Sequence, residues 1–348
     1  MLDYSKYIIN RDFTVRGALI KLNALSNDVL TLFVLDEGRL VGTLTDGDAR
    51  RGLINGVQLT DSVDKIMKKD FSYLKDDENP FLRQVDFRNR SIQLLPSINE
   101  KGEIVKIYNL KKLKAILPID AVLMAGGKGE RLRPLTETTP KPLLKVGDKA
   151  IIDYNIESLL LNGVENISVT VNYLADQLEE HFANPKQGVK VKCVREPRFY
   201  GTMGAVKLVD GFKHDVVLIM NSDLFTNIDL SDFYRHFLEK DADMSVASVP
   251  YTVNIPFGIF ELDGRNITSL KEKPTYNYYA NSGIYLIKKD LLNLIPTDQC
   301  FNATDMIELL ISKKKNVIRY PLLGYWVDIG RHEDFNRVQD YVKHLHFQ

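Results

Sequence analysis

The sequence predicts an α/β fold preceded by a smaller, internally duplicated α+β module, and three observations carry that prediction. First, the apolar run Ala121-Val122-Leu123-Met124-Ala125 meets the loop Gly126-Gly127-Lys128-Gly129, as a buried strand does when it opens into a phosphate-binding turn. Second, Val216-Val217-Leu218-Ile219-Met220 reads as another buried parallel strand. It delivers Asn221-Ser222-Asp223 to its carboxyl end, the edge at which open α/β sheets bind ligands. Third, the first 117 residues run twice through one plan of helix, strand, turn and strand. The interval of about sixty residues is too long for a solenoid unit and fits two copies of a small domain. The expected boundaries are 1–117 and 118–348.

In chain order, residues 15–22 have helical apolar spacing, and 31–35 and 40–45 read as strands around the Asp36-Glu37-Gly38 turn, followed by a helix over 46–54. The second copy places a helix over 81–87, strands over 92–95 and 104–107 around Asn99-Glu100-Lys101-Gly102, and a closing helix over 110–117. The larger domain ends in an amphipathic helical stretch over 334–346.

Composition narrows the function class. With 46 basic and 46 acidic residues among 348, no net charge points to nucleic acid or an anionic membrane as partner. Cys193 and Cys300 lack metal-ligand spacing and sit in apolar stretches, the pattern of reduced core residues. The N-terminus shows no signal-peptide pattern, and no apolar run reaches the roughly 20 residues of a membrane span. A soluble, cytoplasmic protein is expected.

The loop after the first strand is suited to a nucleoside triphosphate. Gly126, Gly127 and Gly129 lack the Cβ atoms that hold a backbone away from phosphate, and Arg131 and Lys141 add fixed positive charge. A P-loop would end in Gly-Lys-[Ser/Thr] and a dinucleotide fingerprint would read Gly-x-Gly-x-x-Gly; neither pattern is present. Asp223 after its strand, taken alone, reads as an N-cap or turn residue as readily as a functional one.

The full string, Gly126-Gly127-x-Gly129-x-Arg131-Leu132-x-Pro134-Leu135-Thr136 followed by Pro140-Lys141-Pro142, resembles the signature of sugar-1-phosphate nucleotidyltransferases (NDP-sugar pyrophosphorylases). The resemblance runs to about residue 335. It implies a Rossmann-like, GT-A-like mixed sheet with helices on both faces. It also implies a nucleotide site at Ala125, Gly126, Gly127, Gly129, Glu196, Gly201 and Thr202. Asp223 and Asp328, the latter in Trp326-Val327-Asp328-Ile329-Gly330, match the two Mg²⁺ ligands of the family. Two carboxylates plus phosphate oxygens suit that ion. Arg131, Lys141, Asp223, Lys273 and Asp328 are the implied catalytic set, and Gly258, Glu272, Lys273 and Asn281 the implied sugar-phosphate contacts. Taken alone, Lys271-Glu272-Lys273 reads as a solvated charge run. Two departures are Glu130, where the family often has Thr or Ser, and Ser222, where it usually has Gly.

The implied reaction needs no general base, because a sugar 1-phosphate is already an anionic nucleophile and the task is to align two anions and neutralise their repulsion. Expected partners are therefore an NTP and a sugar 1-phosphate. In thymidylyl members an amide stands where this chain has Glu196. A carboxylate only accepts hydrogen bonds, which suits guanine and leaves cytosine open. The alternative is a surface ion pair of Glu196 with Arg195 or Arg198.

The N-terminal plan resembles a CBS-domain pair, including Gly42-x-x-Thr45-x-x-Asp48, whose Thr and Asp hold an adenine nucleotide's ribose in that family. Lys106, Asn109 and Lys112 fall at the same places in the second copy, so a ligand is expected in one half, at Thr45 and Asp48. A packing or dimerising module without ligand is the other reading, and a homo-oligomer is expected in either. This combination resembles the glucosamine-1-phosphate and mannose-1-phosphate guanylyltransferase group, with GTP and a hexosamine or mannose 1-phosphate as the implied substrates. A regulatory subunit that has lost catalysis is the competing class, disfavoured because no implied metal acid is missing. Some similar transferases continue into hexapeptide repeats; none follows Asp328 here, so no second activity is expected.

Overall fold

Residues 4–345 are described by a computed structural model. The chain divides into two compact units: Met1–Pro118 with Leu160–Gly163, and Ile119–Leu159 with Val164–Gln348.

The first unit contains β1 (Ile8–Asn10), α1 (Val15–Ala24), β2 (Thr31–Asp36), β3 (Arg39–Thr45) and α2 (Asp46–Ile54), then β4 (Leu74–Lys75), α3 (Pro80–Asn89), β5 (Leu94–Ile98) and β6 (Ile104–Asn109). Its two sheets have the orders β1-β2-β3 and β4-β5-β6, each with a parallel and then an antiparallel pairing. Both antiparallel pairs slip register at the corresponding place, between Val34 and Leu35 and between Ser97 and Ile98. Leu22, Leu32, Phe33, Val34 and Leu44 share a core with Leu94 and Ile107 of the second copy. Helix entry follows local chemistry: the Thr14 hydroxyl accepts from Gly17 N at 3.1 Å, and Asn79 accepts from Phe81 N with Pro80 in the first turn.

Two expectations fail in the second copy. The strand expected over 92–95 lies at Leu94–Ile98, because Ser91 turns left-handed (φ 58°) and Ile92 N donates to Phe87 O, closing α3. The helix expected over 110–117 does not form. The Asn109 side chain accepts from Lys111 N and Lys112 N to start one turn, but the Arg88 guanidinium takes the carbonyls of Leu110, Leu113 and Lys114. Those oxygens are then lost to a helical ladder.

The second unit adds β7 (Asp120–Ala125), β8 (Lys145–Val146), β9 (Lys149–Ala150), α4 (Ile151–Leu161, all but its last two residues), β10 (Ile167–Val171), α5 (Ala175–His181), β11 (Lys192–Arg195) and α6 (Gly201–Gly204). After them come β12 (Val216–Asn221), β13 (Leu224–Thr226), α7 (Leu230–Glu239), β14 (Met244–Asn254), β15 (Ile259–Asp263) and β16 (Asn266–Lys271). The last elements are β17 (Thr275–Lys288), α8 (Ala303–Ser312), β18 (Val317–Pro321), β19 (Trp326–Asp328) and α9 (His332–Leu345). The expected helix end at His346 lies outside the described residues.

A seven-stranded sheet in the order β11-β10-β7-β12-β17-β14-β18 forms the frame. β11, β10, β7 and β12 run parallel, while β17 runs antiparallel to both β12 and β14, so the sheet is mixed as predicted. Val122, Val217, Ile219 and Ile287 pack one face onto Met203 and Val206 and onto Ala303, Met306 and Leu310 of α8. A second cluster joins Leu132 of the glycine loop, Ile151, Phe225 of β13, Val327 of β19 and Val338 and Val342 of α9. This smaller core holds three site-bearing segments against one another.

The cysteines depart from expectation. Cys193 is only half-buried, its thiol pushed up to about 11 by burial, and Cys300 is exposed. The neighbouring Phe301 takes the inward place, and its carbonyl accepts from Met203 N and Gly204 N at 3.0 and 2.8 Å. No helix among the described residues is long and apolar enough to cross a membrane.

Candidate active site

The carboxyl ends of β7, β10 and β12 open into one cleft of about 580 Å³. At its floor Gly129 adopts φ 62°, and a Cβ there would lie 3.0 Å from Thr136 Cγ2 and 3.1 Å from Lys141 Cβ. Both the left-handed backbone and the crowding favour glycine here. The Thr136 hydroxyl closes the loop by donating to Gly129 O at 2.8 Å. Gly126 lies against the Glu196 carboxylate with no room for a side chain, whereas Gly127 faces open space.

Three charged groups meet where β12 ends. Asp223 sits in the turn between β12 and β13, and β13 pairs with β19 so that Leu224 lies opposite Asp328. Lys141, only 8% exposed, donates to Asp223 Oδ2 and lies 3.4 Å from Asp328 Oδ1. Burial raises the Asp223 pKa, Lys141 opposes that, and the Asp328 carboxylate adds to it. Asp223 Oδ1 is buried with no partner. An orphaned buried carboxylate oxygen beside a second acid fits a hard cation that takes its remaining ligands from phosphate and water. No cluster of three His, Cys, Asp or Glu side chains surrounds them among the described residues.

The turn carrying Asp223 is anchored on both sides. Ser222 Oγ donates to Met124 O at 2.7 Å, which gives the departure from glycine a structural role. Asn155 of α4, buried, donates from Nδ2 to Ser222 O at 3.3 Å and to Leu224 O at 3.0 Å. Ile329 N donates to Asp223 O at 3.2 Å.

At the other end of the cleft Glu196 is 4% exposed, and burial pushes its carboxyl up to about 7. Its Oε2 accepts from Tyr200 N at 3.2 Å. The surface ion-pair reading fails, because Arg195 pairs with Asp176 and Glu179 while Arg198 pairs with Asp298. Gly201 adopts φ 82°, and Thr202 Oγ1 accepts from Ala303 N at 3.0 Å, capping α8.

Residues 120–344 match the nucleotidyl transferase family. The chain belongs to that family. It is 34% identical over 232 residues to the bifunctional protein GlmU of Methanocaldococcus jannaschii, covering 64% of this chain and 54% of that one. It is 28% identical over 223 residues to a mannose-1-phosphate guanyltransferase of Yarrowia lipolytica, covering 62% and 61%. The match therefore spans little more than half the length of these relatives. A UTP–glucose-1-phosphate uridylyltransferase of Synechocystis is 26% identical, covering 62% and 61%. The crystal structure of HddC from Yersinia pseudotuberculosis shares the fold, with a TM-score of 0.52 at 24% identity over 64% of this chain and 99% of that one.

Within this nucleotidyl transferase the structure brings Ala125, Gly126, Gly127, Gly129, Arg131, Lys141, Glu196, Gly201, Thr202 and Asp223 into one cleft. Asp328 joins through Lys141. Gly258, Glu272, Lys273 and Asn281 do not line that cleft and lie exposed. Glu272 Oε2 lies 2.8 Å from where a Gly258 Cβ would stand, so these two sugar-site candidates are neighbours. Asn281 accepts from Gly283 N at 2.9 Å, and Gly283 in turn abuts Asn221 of the cleft. Sequence reasoning missed Thr170 and Asn172, which also line the cleft with Phe199 and Asn221, and the anchor Asn155. The first two lie at the carboxyl end of a parallel strand, the edge where ligands bind, so that rule was a usable signal.

Proposed function

We propose that this protein is a Mg²⁺-dependent sugar-1-phosphate nucleotidyltransferase that joins GTP to a hexosamine or mannose 1-phosphate, giving a GDP-sugar and pyrophosphate. The observation that carries the reading is the partly buried Lys141–Asp223–Asp328 cluster beside a cleft that also holds the Glu196 carboxyl. The names of the Yarrowia and Synechocystis relatives support the sugar 1-phosphate class, and the Synechocystis relative keeps uridylyl transfer as the alternative.

The triphosphate lies along the Gly126–Gly129 backbone, where N–H groups face its oxygens, and Arg131 and Lys141 balance its charge. Asp223 and Asp328 would hold Mg²⁺, which would supply charge neutralisation for the departing pyrophosphate. Lys273 receives the sugar phosphate. A phosphate oxygen of that substrate attacks the α-phosphorus, a new P–O bond forms, and the bond from the α-phosphorus to the bridging oxygen breaks. No proton moves in this step, so no side chain of the cleft is asked to act as a base or nucleophile. The Glu196 carboxylate accepts from guanine N1–H and N2–H₂.

For residues 1–117 we propose a CBS pair that takes an adenine nucleotide at Thr45 and Asp48. The shared strand order and register slip of the two copies support it. Thr45 and Asp48 are also each other's partners in a capping box, with Thr45 N donating to Asp48 Oδ2 at 2.9 Å.

The deciding experiment is pyrophosphate release with each of four NTPs against a panel of sugar 1-phosphates in Mg²⁺ buffer. GTP with mannose or glucosamine 1-phosphate should give the highest kcat/KM. A preference for UTP or dTTP would remove Glu196 from base reading, and no release with any pair would remove the enzymatic reading.

A further inference from the structure

Lys141 occupies the place between two acids that face a phosphate-binding loop. Its ammonium donates to Asp223 Oδ2, lies 3.4 Å from Asp328 Oδ1, and its side chain is only 10% exposed. Its Cβ lies under Gly129, in the floor of the loop itself. The backbone of Lys141 is fixed by a short 3-10 turn, so only its flexible four-carbon stem need rotate for the ammonium to leave the acids and reach the loop.

Charge counting shows why two positions would be used. With neither cation beside them, two partly buried carboxylates carry two uncompensated negative charges. With both the ammonium and a divalent ion at the same oxygens, two cations stand side by side. The ammonium alone leaves one net negative charge at the acids and the divalent ion alone leaves none, whereas the two together leave one positive charge with like charges in contact, so the ion is best accommodated once the ammonium has withdrawn to an anion. A triphosphate along Gly126–Gly129 supplies that anion within reach of the same side chain.

We propose that Lys141 is a tethered substitute for the divalent cation: it fills the Asp223–Asp328 site in the nucleotide-free enzyme and yields it only when a triphosphate draws the ammonium away. This rests on the reading of those two acids as the metal ligands. Metal then enters together with the nucleotide, and the enzyme without nucleotide is protected from stray divalent ions.

The test uses Mn²⁺ as the probe, with free aqueous Mn²⁺ followed by its electron paramagnetic resonance signal at pH 8 and no sugar phosphate present. The parent protein alone should bind Mn²⁺ at least tenfold more weakly than the protein with GTP does, after correction for GTP's own chelation. Lys141→Gln should bind Mn²⁺ without nucleotide at least tenfold more tightly than the parent, and adding Asp328→Asn to it should remove that gain. Equal affinity of Lys141→Gln and the parent would overturn the proposal. If the variant does not fold, the parent decides alone: Mn²⁺ affinities within threefold with and without GTP would overturn it. The metal-site reading fails separately if Asp328→Asn leaves the parent's GTP-dependent Mn²⁺ binding intact.

Discussion

Glu196 concentrates the specificity question in one side chain. It is held against Gly126 by the backbone, has one hydrogen bond from Tyr200 N, and its neighbouring arginines are engaged elsewhere. Its carboxyl is raised from 4.5 to about 7 by burial, so the folded state binds a proton that the unfolded chain releases at lower pH. The sign follows: the burden on stability is absent below pH 4.5, grows through the window up to about 7, and is full above it. Glu196→Gln should therefore melt higher than the parent at pH 8, by roughly 1 to 3 kcal/mol, with the gap closing below pH 4.5. Paired thermal melts across that range check it. The same substitution should erode GTP preference toward UTP or dTTP by tenfold or more, since each lost bond to a charged group is worth about 1.5 to 3 kcal/mol. In the proposed reaction Arg131 and Lys273 divide the phosphates between them, in keeping with their places: Arg131 lines the cleft and lies against Gly330, while Lys273 stands outside it on the chain after β16. Arg131→Ala should raise KM for the NTP and Lys273→Ala KM for the sugar 1-phosphate; equal effects on both in steady-state kinetics would remove that division.

At the scale of elements, the site is made by strand ends and by what fixes them. β7 and β12 were legible because continuous apolar runs of the right length end in glycine or in Asn-Ser-Asp. The tight turn after β7 was legible because its left-handed residue, Gly129, falls in a glycine-rich run of the sequence. The tether from α4 was not legible: Asn155 sits in an apolar helix, and nothing local says that its amide crosses to the β12–β13 turn. For the same reason the missing helix after β6 was hidden, because the competitor for its carbonyls, Arg88, lies 22 residues upstream of the first of them. Asn155→Ala leaves two buried carbonyls flanking Asp223 without that donor, and should cost about 1 to 3 kcal/mol of stability. A merely structural loss would stop there. Because the turn carries the proposed metal ligand Asp223, kcat should also fall by an order of magnitude or more and the Mg²⁺ requirement rise, measured at a temperature well below the melt.

At the scale of the whole molecule, chemistry and duplication belong to separate units. Every residue that lines the cleft, and every group of the Lys141–Asp223–Asp328 cluster, comes from the second unit. The duplicated unit contributes none of them, and its motif acid, Asp48, is engaged at the start of α2, where its Oδ2 takes both Thr45 N and Thr45 Oγ1. That carboxylate is held below the usual range by the two Thr45 bonds and by Arg51, against the opposing effect of burial. Asp48→Ala should therefore act on stability and on any bound adenine nucleotide, and leave transfer chemistry alone. Loss of the cap should cost about 0.5 to 2 kcal/mol, read as a lower melting temperature of the first unit. At a temperature where both proteins are folded, kcat/KM for GTP and sugar 1-phosphate without adenine nucleotide should stay within about twofold of the parent, since a capping change of that size is spent on the folded fraction and not on the transition state. If added ATP or AMP changes the parent's rate and not the variant's, Thr45 and Asp48 hold the ligand as proposed; if both proteins respond alike, the adenine site lies elsewhere. A collapse of basal turnover in Asp48→Ala would instead show that the two units are coupled in catalysis, contrary to the separation of their residues.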